Sequence, residues 1–254
     1  MLNGAPLMVP LATPFTDDSM QISEVRMARQ VRHHLEHGAA GFLLGGETGE
    51  WWALSLSERK TLVTWLLREA PGVPLLVHVG HFLTGAVLDL AQFVGDEGAI
   101  AILTPPPGVS LTESELQGLC LAMRRHGRVP FAALDPTGTL ILEGQGSFVE
   151  PLSTLKLDSL GFSRSTQLEE CVWGGRVCHW AAVMGADRFR RMTEDWTRAR
   201  TRLHALHRIA RGARLAKAAM QEIGLDLGPP RPPMMGADDQ VRSIIRSLIA
   251  DFKG

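Results

Sequence analysis

The chain has 254 residues, with 26 basic and 27 acidic side chains and a formal net charge of −1. This balance leaves no basic surface of the kind that nucleic-acid-binding proteins use. A hydrophobic content of 45% is enough for a sizeable core, in one large α/β domain or in two smaller ones.

Cysteine usage and hydropathy bear on the compartment in which the protein works. The three cysteines, Cys120, Cys171 and Cys178, are odd in number and have no metal-ligand spacing. No signal peptide is recognised, and no apolar run approaches the roughly 20 residues that a membrane span needs. We therefore expect a cytoplasmic protein without a membrane span. We also expect no metal and no cofactor.

Strands and helices alternate through the first half of the chain. The predicted strands cover residues 7–12, 39–44, 73–79, 99–103 and 129–134. The predicted helices cover residues 22–37, 56–69, 84–95 and 113–126. Most of these strands are apolar on both faces, which is typical of a parallel sheet covered by helices. Their regular spacing favours a (β/α) barrel over an open sheet.

The second half of the chain is less regular. It contains two further predicted strands, 158–163 and 176–183, and three predicted helices, 187–211, 213–223 and 237–252. A stiff proline-rich linker at 228–233 precedes the terminal helix. We divide the chain into a barrel over residues 1–186 and, over 187–254, the last barrel helix with a C-terminal helical extension. Together the two parts are expected to form a single structural unit.

A glycine-rich loop, Gly45-Gly46-Glu47-Thr48-Gly49-Glu50, follows the strand at 39–44. Its glycines permit a sharp turn in which main-chain N–H groups face a ligand. Ser55 and Glu58 have the spacing of a capping box at the start of the next helix. The same pattern also suits a tight turn between strand and helix that binds nothing.

Three motifs occur in an order that carries a family likeness. They are Thr13-Pro14-Phe15, the Gly-Glu-Thr-Gly-Glu loop with Leu54-Ser55-Leu56-Ser57-Glu58-Arg59, and Arg231-Pro232-Pro233. The chain resembles the dihydrodipicolinate synthase / N-acetylneuraminate lyase family of pyruvate-handling aldolases. The resemblance implies a TIM-type (β/α)8 barrel with a C-terminal helical extension, a small oxo- or carboxylic-acid ligand, and a homodimer or homotetramer.

The resemblance also implies catalytic groups that this chain lacks. The family's loop has two threonines, whereas this chain has Glu47 and Thr48. The family's proton-relaying tyrosine aligns with Leu134 or Asp135, and its carboxylate-binding arginine aligns near Gly138. The Schiff-base lysine at the end of strand 6 aligns with Ser163.

About 20 residues are missing relative to the family between Ser163 and Gly174, where a helix and a strand of an eightfold barrel belong. The barrel is therefore expected to be truncated or irregular around strands 6–7.

None of the other lysines fits the missing role by its position in the sequence. Lys60 lies on the helix after strand 2, and Lys156 precedes strand 6 at the opposite rim of the barrel. Lys217 lies on the C-terminal extension, and Lys253 lies in the tail. Tyrosine is absent from the chain. We therefore predict that Schiff-base chemistry of the family type is absent.

Polar residues at the predicted strand ends suggest acid–base catalysis instead. The predicted catalytic residues are Glu47, Asp135 and His78. The predicted substrate-binding residues are Gly46, Thr48, Ser163 and Arg164, and Arg164 would hold a carboxylate with two hydrogen bonds.

Structural roles compete with these assignments. Glu50 suits a role in bracing the loop, and His78 suits a hydrogen-bonded core position. Arg164 is equally able to pair with Glu47 and seal the pocket. A metal site built from Glu47, His78, Asp135 and His179 is conceivable, although no two of these residues are close in sequence.

Three functions remain open from the sequence. The first is a divergent enzyme that acts on a small oxo- or carboxylic acid by acid–base catalysis. The second is a catalytically inactive paralogue that serves as a binding, regulatory or scaffold subunit. The third is a small-molecule sensor. The polar groups at the strand ends favour the first.

Overall fold

The computed structural model describes residues 7–37, 39–103, 109, 111–126, 131–134, 140–145, 148–151 and 212–253. The labels used here count only the elements in these ranges. The strands are β1 (Leu7–Pro10), β2 (Ala39–Leu44), β3 (Leu75–His78), β4 (Ile100–Leu103), β5 (Phe131–Leu134), β6 (Leu140–Gln145) and β7 (Phe148–Pro151). The helices are α1 (Glu24–Glu36), α2 (Leu56–Glu69), α3 (Thr84–Asp96), α4 (Glu113–His126), α5 (Gly212–Glu222) and α6 (Asp239–Lys253).

The described strands form one sheet in the order β1 to β7. Strands β1 to β5 pair in parallel, each with the next strand along the chain. Helices α1, α2, α3 and α4 occupy the connections between successive parallel strands. The predicted alternation of strand and helix is confirmed here, and because all five strands run the same way their carboxyl ends lie at one edge.

The core explains why these segments become strands and helices. Leu43 of β2, Leu76 of β3 and Ile102 of β4 are each at most 1% exposed. Short apolar runs of this kind are stable only when both faces of the strand are covered, and the helices provide that cover.

Capping boxes fix two of the helix starts. In α2, Ser55 accepts from the N–H of Glu58, and the Glu58 carboxylate accepts from the N–H of Ser55 at 2.8 Å. Thr112 and Glu115 make the same reciprocal pair at the start of α4. Both boxes satisfy main-chain donors that the first turn of a helix leaves without a partner.

The sheet continues differently from the sequence-based prediction after β5. Strand β6 pairs antiparallel with β5, and β7 pairs antiparallel with β6. The prediction that the next strand after β5 is 158–163 is therefore wrong, because 140–145 takes that place in the sheet. The predicted elements at 158–163, 176–183 and 187–211 lie outside the described residues, as does the predicted boundary at residue 186.

The C-terminal part consists of α5, a proline-rich linker and α6. Both helices agree within two residues with the predictions of 213–223 and 237–252. Leu215, Ala219 and Met220 of α5 are buried in the same core as the sheet. The described part of the chain contains no helix that is long and apolar enough to cross a membrane.

Candidate functional site

The glycine loop 45–50 begins directly after β2, at the carboxyl edge of the parallel strands. Gly45 has φ 71° and Glu50 has φ 55°, so both lie in the left-handed region that favours glycine. A Cβ atom on Gly49 would lie 2.9 Å from the nitrogen of Gly45 and 3.2 Å from the carbonyl oxygen of Leu11. The loop is therefore folded tightly on itself and against the end of β1.

Glu50 braces this loop from within the protein. Its side chain is fully buried, with Oε1 2.7 Å from the Nζ of Lys217 and Oε2 accepting from the N–H of Arg231 at 2.8 Å. The ammonium of Lys217 also donates to the carbonyl of Pro229 at 2.9 Å. The expected structural role of Glu50 agrees with these contacts.

Burial shapes the ionisation of this pair. It raises the pKa of Glu50, an effect that the Lys217 ammonium opposes. It also lowers the pKa of Lys217 to about 8, and here the Glu50 carboxylate opposes the shift. With a pKa of about 8, Lys217 keeps its proton at neutral pH.

Arg231 extends the network to two further segments. Its guanidinium donates to Glu58 Oε1, to the carbonyl of Met20 and to the carbonyl of Ala53, each at 2.8 Å. The Phe15 ring lies 4.3 Å from the Arg231 guanidinium and 4.4 Å from the Lys217 ammonium. We call the set of Phe15, Glu50, Glu58, Lys217 and Arg231 the Glu50 cluster.

The Lys217 side chain corrects the sequence analysis. The sequence analysis places this lysine on the C-terminal extension and away from the strand ends. The first point is confirmed, because Lys217 lies in α5. The ammonium itself, however, reaches the loop that follows β2. It is enclosed there, because the side chain is only 4% exposed.

His78 stands at the end of β3 and is 1% exposed. Its ring makes an edge contact with Trp51 at 5.3 Å, and its carbonyl accepts from the buried guanidinium of Arg59. Burial and the nearby Arg59 charge lower the pKa of His78 to about 3, against an opposing hydrogen bond with the main chain of Gly45. A neutral, enclosed imidazole of this kind favours the predicted structural role over the catalytic one.

Glu47 differs from its neighbours because it is only half-buried, whereas Gly46 and Thr48 are buried. Glu47 lies against the first residue of α5, where a Cβ atom on Gly212 would be 3.0 Å from the Cγ of Glu47. The loop thus presents a carboxylate beside the amino end of α5.

The structure brings together only some of the predicted site residues. Four of them lie at the carboxyl ends of β2 and β3, namely Gly46, Glu47, Thr48 and His78. Asp135, Ser163, Arg164 and His179 lie outside the described residues, and so does any pairing of Arg164 with Glu47. Within the described ranges, no group of three or more histidine, cysteine, aspartate or glutamate side chains is placed to hold a metal.

Sequence reasoning did not find Lys217 and Arg59 as neighbours of the loop. Arg231 was noticed only as part of a motif, and nothing in the motif shows that its N–H binds a carboxylate 181 residues earlier. Contacts of this range follow from how the chain closes on itself rather than from local spacing.

Comparison with known proteins finds a family match in the part of the chain that contains this loop. Residues 4–115 match the model of the dihydrodipicolinate synthetase family. Over these residues the chain is similar to the dihydrodipicolinate synthetase family. That stretch carries β1 to β4 and the whole glycine loop.

Two curated relatives of this family show the extent of the similarity. A 4-hydroxy-tetrahydrodipicolinate synthase from Methanopyrus kandleri is 37% identical over 98 residues, covering 38% of this chain and 33% of the relative. An N-acetylneuraminate lyase from Salmonella paratyphi B is 34% identical over 102 residues, covering 39% of this chain and 34% of the relative. The matches therefore span about a third of the length of these relatives.

Solved structures of the family share the fold along almost the whole chain. Dihydrodipicolinate synthase from Thermotoga maritima matches with a TM-score of 0.73 at 16% identity, covering 98% of each chain. YagE, a prophage protein of the same family from E. coli K12 solved in complex with pyruvate, gives a TM-score of 0.73 at 15% identity, with 98% and 99% covered. The predicted TIM-type barrel class is confirmed.

Proposed function

We propose that this protein is a divergent barrel of the aldolase and lyase type, which binds a small oxo- or carboxylic acid at the glycine loop and acts on it by acid–base catalysis without a Schiff base. The observation that carries the proposal is the loop itself. It follows β2 at the carboxyl edge of the parallel strands, and it carries the carboxylate of Glu47 at the position where the resemblance implies a threonine hydroxyl.

The distribution of lysines supports the absence of a Schiff base. An amine must be accessible and deprotonated to attack a carbonyl carbon. The ammonium of Lys60 pairs with Asp89 on the outer helices, and Lys217 is enclosed between Glu50 and the carbonyl of Pro229. Lys253 ends α6. Lys156 is expected at the opposite rim of the barrel, and the chain has no tyrosine to relay protons.

Proton transfer then falls to carboxylates. We assign the catalytic role to Glu47 with Asp135. With a pKa of about 3, the His78 imidazole is neutral near neutral pH and is a poor acceptor of protons. Gly46 and Thr48 would bind the ligand's oxygen atoms, together with the two further binding residues expected from the sequence, Ser163 and Arg164.

A specific observation favours the catalytically inactive paralogue as the second candidate. Around the loop, Glu50, Lys217 and Arg59 are all engaged in buried structural contacts. A chain that keeps the bracing of the fold and loses its reacting groups would have the same appearance. The two candidates differ in whether a bound acid is turned over.

Deuterium exchange at C3 of pyruvate in D2O, followed by proton NMR, measures the proposed proton transfer directly. Binding is measured in parallel as a rise in melting temperature with pyruvate, since a ligand stabilises the folded state that it binds. We expect the wild-type protein both to bind and to exchange. The variant Glu47→Gln should bind but lose exchange by about 100-fold or more.

A matched pair of threonine variants locates the binding. Thr48→Val should abolish the pyruvate-induced rise in melting temperature, whereas Thr64→Val on the exposed face of α2 should not change it. Binding without exchange in the wild type would overturn the catalytic proposal and favour a non-catalytic binding protein. Failure of pyruvate and other small oxo acids to bind would overturn the proposed ligand class and favour an inactive regulatory or scaffold subunit.

A further inference from the structure

A cavity of about 290 Å³ lies between α5, the proline-rich linker and the segment around Asp17. Its charged lining consists of Asp17, Arg214, Lys217, Asp226 and Arg242. The volume is near the lower end of the range for small-molecule sites, so it suits a ligand of few atoms.

The charges in the cavity are unevenly compensated. Asp17 and Asp226 both pair with the Nη2 atom of Arg26, at 2.6 and 2.9 Å. Lys217 pairs with Glu50. Among the described residues, neither of the two remaining cations, Arg214 and Arg242, has a carboxylate within ion-pair distance.

The two guanidinium groups are held in place by neutral acceptors. The Nε of Arg214 donates to the carbonyl of Met235 at 2.9 Å, and the Nε of Arg242 donates to the carbonyl of Ala237 at 3.1 Å. Arg242 also donates through Nη1 to the side-chain oxygen of Gln221 at 2.6 Å. Anchoring through Nε fixes each group while leaving Nη donors for another partner, and guanidinium groups bind carboxylates and phosphates through paired donors.

We propose that this cavity binds a small organic anion, carrying carboxylate or phosphate, through Arg214 and Arg242. Lys217 links the cavity to the glycine loop, because the residue lines the cavity and its ammonium pairs with Glu50. An occupant would therefore act as an effector of the Glu50 cluster rather than as a substrate at the loop.

Isothermal titration calorimetry tests the site with two probes, citrate and inorganic phosphate, against sodium chloride of equal ionic strength. We expect at least one probe to bind, and the stronger probe identifies the carboxylate or phosphate class. The double variant R214Q/R242Q should weaken that binding by about tenfold or more for each guanidinium lost.

The matched control is R29Q/R32Q, which removes the same charge from the exposed face of α1 and should bind like the wild type. Absence of binding by both probes, or equal binding by R214Q/R242Q and the control, would overturn the proposal.

NMR of the arginine Nε groups in the wild-type protein tests the same site without a variant, in case R214Q/R242Q does not fold. Addition of the binding probe should shift the Arg214 and Arg242 resonances and leave those of Arg29 and Arg32 in place. Shifts confined to other arginines would contradict the assignment. This outcome is independent of pyruvate binding at the loop, so the two proposals fail separately.

Discussion

At the scale of single residues, the Lys217–Glu50 pair joins the C-terminal extension to the glycine loop. Both groups are almost completely buried, with side-chain exposures of 4% and 0%. Desolvation offsets much of the attraction in such a pair, so its net contribution to stability is small or even unfavourable. Removal of one partner is different, because it leaves a buried charge with no compensation.

We therefore expect Lys217→Met to lower the free energy of unfolding by about 3–5 kcal/mol. The double variant Glu50→Gln/Lys217→Met should recover much of that loss, because it leaves no unpaired charge at these two positions. The control is Lys60→Met, which breaks the more exposed pair with Asp89 and should cost about 0–1 kcal/mol. Urea unfolding measures all three variants, and equal effects of the two single substitutions would refute the structural role of Lys217.

His78 makes a second prediction at this scale, which concerns pH. Its pKa is about 3 in the folded protein and 6.5 in the unfolded chain, so the unfolded state binds the extra proton between these values. Stability contributed by this group is complete above pH 6.5 and is lost as the pH falls below it.

Between pH 7.5 and pH 5 the wild type should lose about 2 kcal/mol more stability than His78→Gln does. Chemical unfolding at both pH values gives this difference. Parallel losses in the two proteins would show that His78 is protonated in the folded state and would reopen its catalytic role.

At the scale of elements, local patterns were sufficient for most of the described chain. The alternation of apolar strands with amphipathic helices, together with two capping boxes, predicted the bounds of β1 to β5 and α1 to α4 within a few residues. The β6–β7 hairpin was missed, although Leu140-Ile141-Leu142 and Phe148-Val149 flank Gly146-Ser147, a two-residue hairpin signal. The expectation of another parallel strand took precedence over that local signal.

The side-chain contacts of the loop could not be predicted from local sequence patterns, and the reason here is distance along the chain. The spacing of Ser55 and Glu58 shows their contact, because they are one helical turn apart. The partners of Glu50 come from α5 and the linker that follows it, so they are known only once the chain has folded.

Close packing of the glycine loop gives the prediction at this scale. Gly49→Ala should destabilise the protein by about 2 kcal/mol or more and weaken oxo-acid binding, because a Cβ atom would approach the main chain of Gly45 and Leu11 too closely. Gly85→Ala is the control, since nothing lies within 4 Å of its Cβ position in α3. That substitution should be neutral or stabilise by up to about 1 kcal/mol. Thermal unfolding compares the two variants, and a neutral Gly49→Ala would mean that the loop is less constrained than described.

At the scale of the whole molecule, the chain shares a barrel fold with proteins to which it has little sequence identity. The fold match extends over 98% of the chain at 16% identity, so the fold persists where most residues differ. In this chain the Glu50 cluster joins the ends of β1 and β2 to α2, α5 and the linker before α6. None of these contacts uses a residue at position 163, where the resemblance places the Schiff-base lysine, so we propose that the fold does not require a lysine there.

Borohydride trapping with pyruvate, read by mass spectrometry of the intact chain and of its peptides, tests the central claim most directly. The experiment is done at a pyruvate concentration that saturates the thermal shift, so that the bound state is populated. We predict no reduced adduct on any of the four lysines, Lys60, Lys156, Lys217 and Lys253. A stoichiometric adduct on one of them, above all on Lys217 beside the glycine loop, would contradict the account.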